Sequence, residues 1–211
     1  MEQFYDQSIG EDFRSKLTGL KKKVRSQSFY GELCSYGIAG NTFRAYRGYN
    51  QRPSEVYRSW ASLKTKDVLG GHFPSMIDQR AFDEWHHELF ESIYNHWLTE
   101  QGQEISFAHT SKLLDLYLKW LMTNQKCPDK LASAILHYGY CALDSQILFR
   151  LNQCLSGALP IKNPTMGDIL NRNTYLFCQH LIRDFAEKFG GTRTLFDFYA
   201  WEPGGFQKTR S

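Results

Sequence analysis

The sequence predicts an all-α protein, a compact multi-helix bundle of two closely packed helical lobes. Three observations lead there. Phe82, Trp85, Leu89, Ile93 and Trp97 recur at helical spacing. Residues 111–122 are apolar nearly all round, the pattern of a helix at the centre of a protein. Start and stop residues (Asp78, Gly102, Pro128, Gly139, Asp144) then divide the text into short helices, roughly eight to ten in all.

Taken in order, residues 11–25 make a short basic helix, and 28–48, rich in Tyr, Phe and Gly, hold a turn or short extended pieces. Pro53 opens a helix through residue 63, since its missing N–H costs nothing in a first turn. Residues 67–76, with Gly70, Gly71 and Pro74, read as a loop. Asp78 caps the helix that carries the Phe82–Trp97 face, and Gly102 lies beyond its end. The next helix begins at Phe107 or Ser111 and runs to Met122. Pro128 starts another, closed by Gly139, and Asp144-Ser145 caps one through Cys154. After the turn at Pro160 and Pro164, Thr165 begins a helical region that reaches Gly190-Gly191 with a break near 171–174. Thr194 introduces a short last helix through Trp201. The chain is expected to form one domain over 1–211, with 1–75 contributing to an N-terminal lobe and 76–203 forming the helical core.

Composition narrows the function classes. The 211 residues are 42% hydrophobic and 22% charged, enough apolar material for a core and too little charge for disorder. No apolar run approaches the roughly 20 residues that cross a bilayer, and the first residues lack the pattern of a secretory signal, so no membrane partner and a cytoplasmic, nucleoid-associated location are expected. Cys34, Cys127, Cys141, Cys154 and Cys178 are odd in number and widely spaced, the pattern of buried free thiols. No Cys-x-x-Cys pair exists, and His86-His87-Glu88 lacks the second histidine of a zincin helix, reading instead as a solvated face. No metal and no cofactor are expected. The net charge of +3 permits a nucleic-acid partner without demanding one; the densest basic cluster, Lys21-Lys22-Lys23 with Arg25, suits a solvated helix end or a phosphate contact.

Two segments can carry chemistry. On the central helix, Lys112, Asp115 and Lys119 fall on one stripe. If Thr110 caps this helix, Lys112 lies in its first turn, where the positive helix end favours the free amine and makes a nucleophile. Alternatively the stripe faces solvent. In the second segment, Leu143-Asp144-Ser145-Gln146 delivers a carboxylate to a helix start, as an electrostatic partner or base, or simply as an N-cap.

These two segments resemble the helix-hairpin-helix DNA glycosylase superfamily. Leu-Asp-Ser-Gln-Ile-Leu-Phe-Arg-Leu-Asn (143–152) is similar to the segment bearing its aspartate. Ser-Lys-Leu-Leu-Asp-Leu-Tyr (111–117) is similar to the helix that carries the catalytic lysine in the 8-oxoguanine branch. The separation, 144 − 112 = 32 residues, suits the archaeal-type 8-oxoguanine glycosylases, with the 128–138 helix as the inserted one. A third match is Asp197-Phe-Tyr-Ala-Trp201, which is similar to the Asp-x-x-x-Trp arrangement that holds the extruded base there. Its alternative is a capping box of Thr194 and Asp197 followed by a packed Trp. The Leu-Pro-Gly-x-Gly hairpin of the superfamily is absent: Phe107-Ala108-His109-Thr110-Ser111 stands before Lys112.

The resemblance covers residues 80–203 and implies a monomeric glycosylase acting on double-stranded DNA with a modified, 8-oxoguanine-like base, through base excision with AP lyase activity. Lys112 and Asp144 are the implied catalytic residues, and Asp197 and Trp201 the implied base-binding ones. Trp60 is a second candidate for stacking, against plain packing. The alternative from another class is a non-catalytic helical module on the same fold that binds DNA or a protein, with a role in defence against foreign DNA.

Overall fold

The computed structural model describes residues 4–25, 35–39, 41–75, 78–159 and 163–202. Among them the protein is all-helical, with eight α-helices packed compactly and no strand. They are α1 (Gln7–Arg25), α2 (Pro53–Leu69), α3 (Gln79–Gln101), α4 (Phe107–Thr123), α5 (Asp129–Tyr138), α6 (Ser145–Cys154), α7 (Arg172–Lys188) and α8 (Arg193–Ala200). None of them is long and apolar enough to cross a membrane.

The chain's punctuation explains most boundaries. Asp78 accepts a hydrogen bond from the Ala81 N–H to open α3, and Gly102 closes it in the left-handed region at φ 68°. Asn171 caps α7 through the Thr174 N–H, after a 3₁₀ turn at Met166–Asp168, so the expected break is present. Several expectations need correction. Asp6 accepts from the Ile9 N–H and starts α1 earlier than residue 11. Residues 67–69 continue α2 instead of starting a loop, because Val68 lies on its buried face. The described parts of 28–48 contain 3₁₀ turns, Ser35–Gly37 and Thr42–Ala45, and no extended piece. Pro160, Cys34 and residues 26–34 lie outside the described residues.

Helix α4 occupies the middle, as its all-round apolar character requires. Leu113, Leu114, Tyr117 and Leu121 are fully buried; each such side chain contributes roughly 1.5–3 kcal/mol of burial free energy. It packs on α3, α5, α2 and the 35–37 turn. That turn comes so close that a Cβ on Gly37 (φ 79°) would stand 2.1 Å from the Leu116 carbonyl oxygen. The two ends of the chain meet: α1 packs on α8, with Tyr199 donating to Asp12 at 2.7 Å and Lys23 paired to Glu202. Residues 1–75 are therefore divided, α1 lying against α8 and α6 while α2 lies against α3 and α4. Cys127, Cys141, Cys154 and Cys178 are free and buried.

Candidate functional site

The polar stripe of α4 faces inward. Asp115 is 1% exposed and Lys119 9%, so the solvent-facing alternative is overturned. The cap of α4 is Ser106, whose hydroxyl accepts from the His109 N–H. Lys112 consequently sits in the second turn, beyond the reach of the first-turn dipole effect that a Thr110 cap would have supplied. Thr110 is itself buried inside the helix and donates back to the Ser106 carbonyl.

Lys112 and Asp144 come together across α4 and the start of α6. The Lys112 Nζ stands 3.6 Å from Asp144 Oδ2, with the two side chains 16% and 12% exposed. Asp144 divides its oxygens: Oδ1 accepts the Gln146 and Ile147 N–H groups as an N-cap, and Oδ2 is turned to the amine. Capping and pairing are thus compatible roles of one side chain. Burial pushes the Asp144 carboxyl up, and the Lys112 ammonium and the two cap N–H groups pull it back down. At 3.6 Å the pair is associated but too long for a hydrogen bond, which leaves the amine able to turn to another partner. Asp144→Asn is expected to keep the fold within about 0.5 kcal/mol in a melting experiment, since Asn caps nearly as well, whereas Asp144→Ala loses about 1 kcal/mol.

Asp197 and Trp201 are placed differently from each other. Asp197 is 1% exposed; Oδ1 pairs with the Lys119 ammonium and Oδ2 accepts the Ala142 N–H at 2.8 Å. The pair ties α4 to α8 and to the segment leading into Asp144. Thr192, not Thr194, caps α8, so the Thr194–Asp197 capping box is overturned; Thr194 donates instead to the Ile135 carbonyl. Trp201 is the residue that ends α8, and it is 53% exposed, not packed. The two side chains do not share an environment.

A third polar group lies deeper in the bundle. His86 Nε2 lies 2.9 Å from Asp115 Oδ1, and the Tyr175 hydroxyl donates to Asp115 Oδ2 at 2.7 Å. His86 is 7% exposed, so the solvated-face reading of His86-His87-Glu88 fails for its first member. A signal was present: His86 follows Phe82 by four residues and falls on the buried face of α3. Burial raises the Asp115 carboxyl, and the bonds from His86 and Tyr175 oppose that shift. Trp60 is 2% exposed and donates to Ser92 at 3.1 Å, a core residue and not a stacking surface. Among the described residues no group of His, Cys, Asp or Glu is arranged to hold a metal ion.

No protein-family model, curated protein or solved structure matches this chain.

Proposed function

We propose that the chain is a lysine-dependent DNA glycosylase with lyase activity, built on a helix-hairpin-helix glycosylase-like arrangement of its helices. The observation that carries this reading is the approach of Lys112 to Asp144, two residues far apart in sequence, both largely buried and at the spacing the resemblance implies. Asp144 takes a proton from the Lys112 ammonium. The free amine attacks C1′ of the deoxyribose of an extruded, 8-oxoguanine-like nucleotide. The C1′–N bond breaks and the base leaves with its bonding electrons, taking up the proton held by Asp144, which is thereby ionised again. The attached amine nitrogen then gives up a proton, which passes by way of Asp144 to the ring oxygen O4′ as the C1′–O4′ bond breaks and the Schiff base forms on Lys112. The ionised Asp144 stabilises the positive charge that develops on the sugar.

Base recognition falls to Trp201, whose exposed indole is free to stack. Asp197 has both oxygens engaged inside the protein and is not part of that proposal. Trp201→Ala is expected to weaken binding to a duplex carrying the modified base by about 1–3 kcal/mol, the usual worth of one stacked base. Binding to the same duplex with an abasic site should hardly change, and neither should the melting temperature, because the ring is half in water. Equal loss on both duplexes would remove Trp201 from recognition.

Borohydride reduction during turnover tests the reaction itself. On a panel of duplexes with oxidised or otherwise modified bases, at least one should yield a covalent protein–DNA adduct of one-to-one mass. Absence of an adduct on every duplex, with DNA binding intact, would favour the non-catalytic DNA-binding alternative.

A further inference from the structure

Beside the α4 stripe, a cleft of about 400 Å³ opens between α3, α4 and α7. That volume lies within the range of small-molecule sites. Its walls are aromatic: Phe90 and Phe107 have ring centroids 4.9 Å apart, and Tyr140 and Tyr175 5.7 Å apart. Two polar groups on the walls are incompletely satisfied. Ser111 is 2% exposed, and its hydroxyl is buried with no hydrogen-bond partner among the described residues. His86 is held through Nε2 by Asp115, which fixes its ring and leaves Nδ1 without a partner among them. A buried hydroxyl with no partner is unfavourable, and its retention in an aromatic cleft points to a ligand that supplies the missing bond.

The rim sets the charge of that ligand. Arg172 and His87 stand there with Glu91 and Asp83, so both signs are present. His87 Nδ1 lies 4.0 Å from Glu91 Oε1, and Asp83 accepts from the Tyr140 hydroxyl at 2.8 Å. Neither a strong anion nor a strong cation finds a field of one sign. A flat, neutral ring with hydrogen-bonding edges meets both the walls and the unsatisfied groups.

We infer that this cleft binds one nucleobase-type heteroaromatic ring, stacked among the aromatic walls and hydrogen-bonded by Ser111 and His86. The inference goes beyond the lysine chemistry and needs neither Lys112 nor Asp144. The ring can come from a free nucleoside or from a base in a strand, and the experiment separates the two.

The full chain is titrated by calorimetry with guanosine, adenosine, cytidine, thymidine and a short single-stranded oligonucleotide, with p-cresol as a ring that lacks the polar nitrogen edge. At least one nucleoside or the oligonucleotide is expected to bind more tightly than p-cresol. Ser111→Ala should weaken that binding by about tenfold, the worth of one good hydrogen bond. Leu176→Trp, which fills the cleft from α7, should remove it, while Lys112→Gln should leave it unchanged. If the larger side chain disturbs folding, Phe107→Leu removes part of the wall and should weaken binding instead. Binding of the oligonucleotide alone, lost in the cleft variants, supports the site and assigns its ring to a strand. The inference is overturned if neither nucleosides nor the oligonucleotide bind the folded protein, if p-cresol binds as well, or if Ser111→Ala and the cleft-blocking variant bind unchanged. Loss of binding in Lys112→Gln would place the ligand at the lysine pair and overturn it too.

Discussion

Lys112→Gln is expected to abolish borohydride trapping and strand nicking, lowering the rate by at least about 10³-fold, as removal of a covalent nucleophile does. DNA affinity should stay within a few fold. Glutamine is one atom shorter than lysine and neutral, but Asp144 keeps the Gln146 and Ile147 N–H groups on Oδ1, so the carboxylate is not left without partners. The melting temperature should therefore change little, which separates lost chemistry from lost fold. Lys119 provides the internal contrast. It lies on the same stripe but is already paired to Asp197 inside the bundle, and Lys119→Gln should damage stability first. Undiminished trapping by Lys112→Gln would remove Lys112 from the reaction and leave Lys119, Lys126 and Lys130 to be tested.

The helices were legible where local chemistry decides them. Asp78 with Gly102, Pro128 with Gly139, and Asp144 each carry their instruction within a few residues, and the structure follows it. The central place of α4 was legible too, because a helix apolar on all sides has no solvated position to occupy. What failed were choices between two equally good local signals. Ser106 and Thr110 both precede the apolar run, and Ser106 caps because Thr110 is needed inside, buried with its hydroxyl returned to the helix backbone. Thr192 and Thr194 pose the same choice, and Thr194 is taken by the Ile135 carbonyl of α5, a contact 59 residues away in sequence. The direction of the Lys112–Asp115–Lys119 stripe has the same cause. Charges on a helix look solvated until their partners are known, and these partners (Asp144, His86 with Tyr175, and Asp197) come from four other parts of the chain. Pair spacing and family-like segments pointed to Lys112 with Asp144. Nothing local could have shown that Asp197 was already engaged.

Asp197→Asn is expected to destabilise the protein by about 3–5 kcal/mol, the cost of breaking a buried ion pair from one side. The substitution leaves the Lys119 ammonium at 9% exposure facing a neutral amide, although the shape is kept. The Ala142 N–H loses a charged acceptor at the same time, and that residue lies in the segment that delivers Asp144 to α6. For a chain of 211 residues, where 1 kcal/mol moves the melting temperature by about 2–4 °C, the midpoint should fall by roughly 6–20 °C. Removing both charges tests the cause. In Lys119→Met with Asp197→Asn no buried charge is left uncompensated, and the double variant should regain much of the loss, as a non-additive coupling in the cycle. Ligand binding discriminates the remaining possibility. A structural Asp197 weakens every duplex alike and only as far as unfolding does, whereas a base-recognising Asp197 would change which bases are accepted while the melting temperature held. A stable Asp197→Asn protein with altered base preference would therefore overturn the structural assignment and return Asp197 to the base recognition proposed for Trp201.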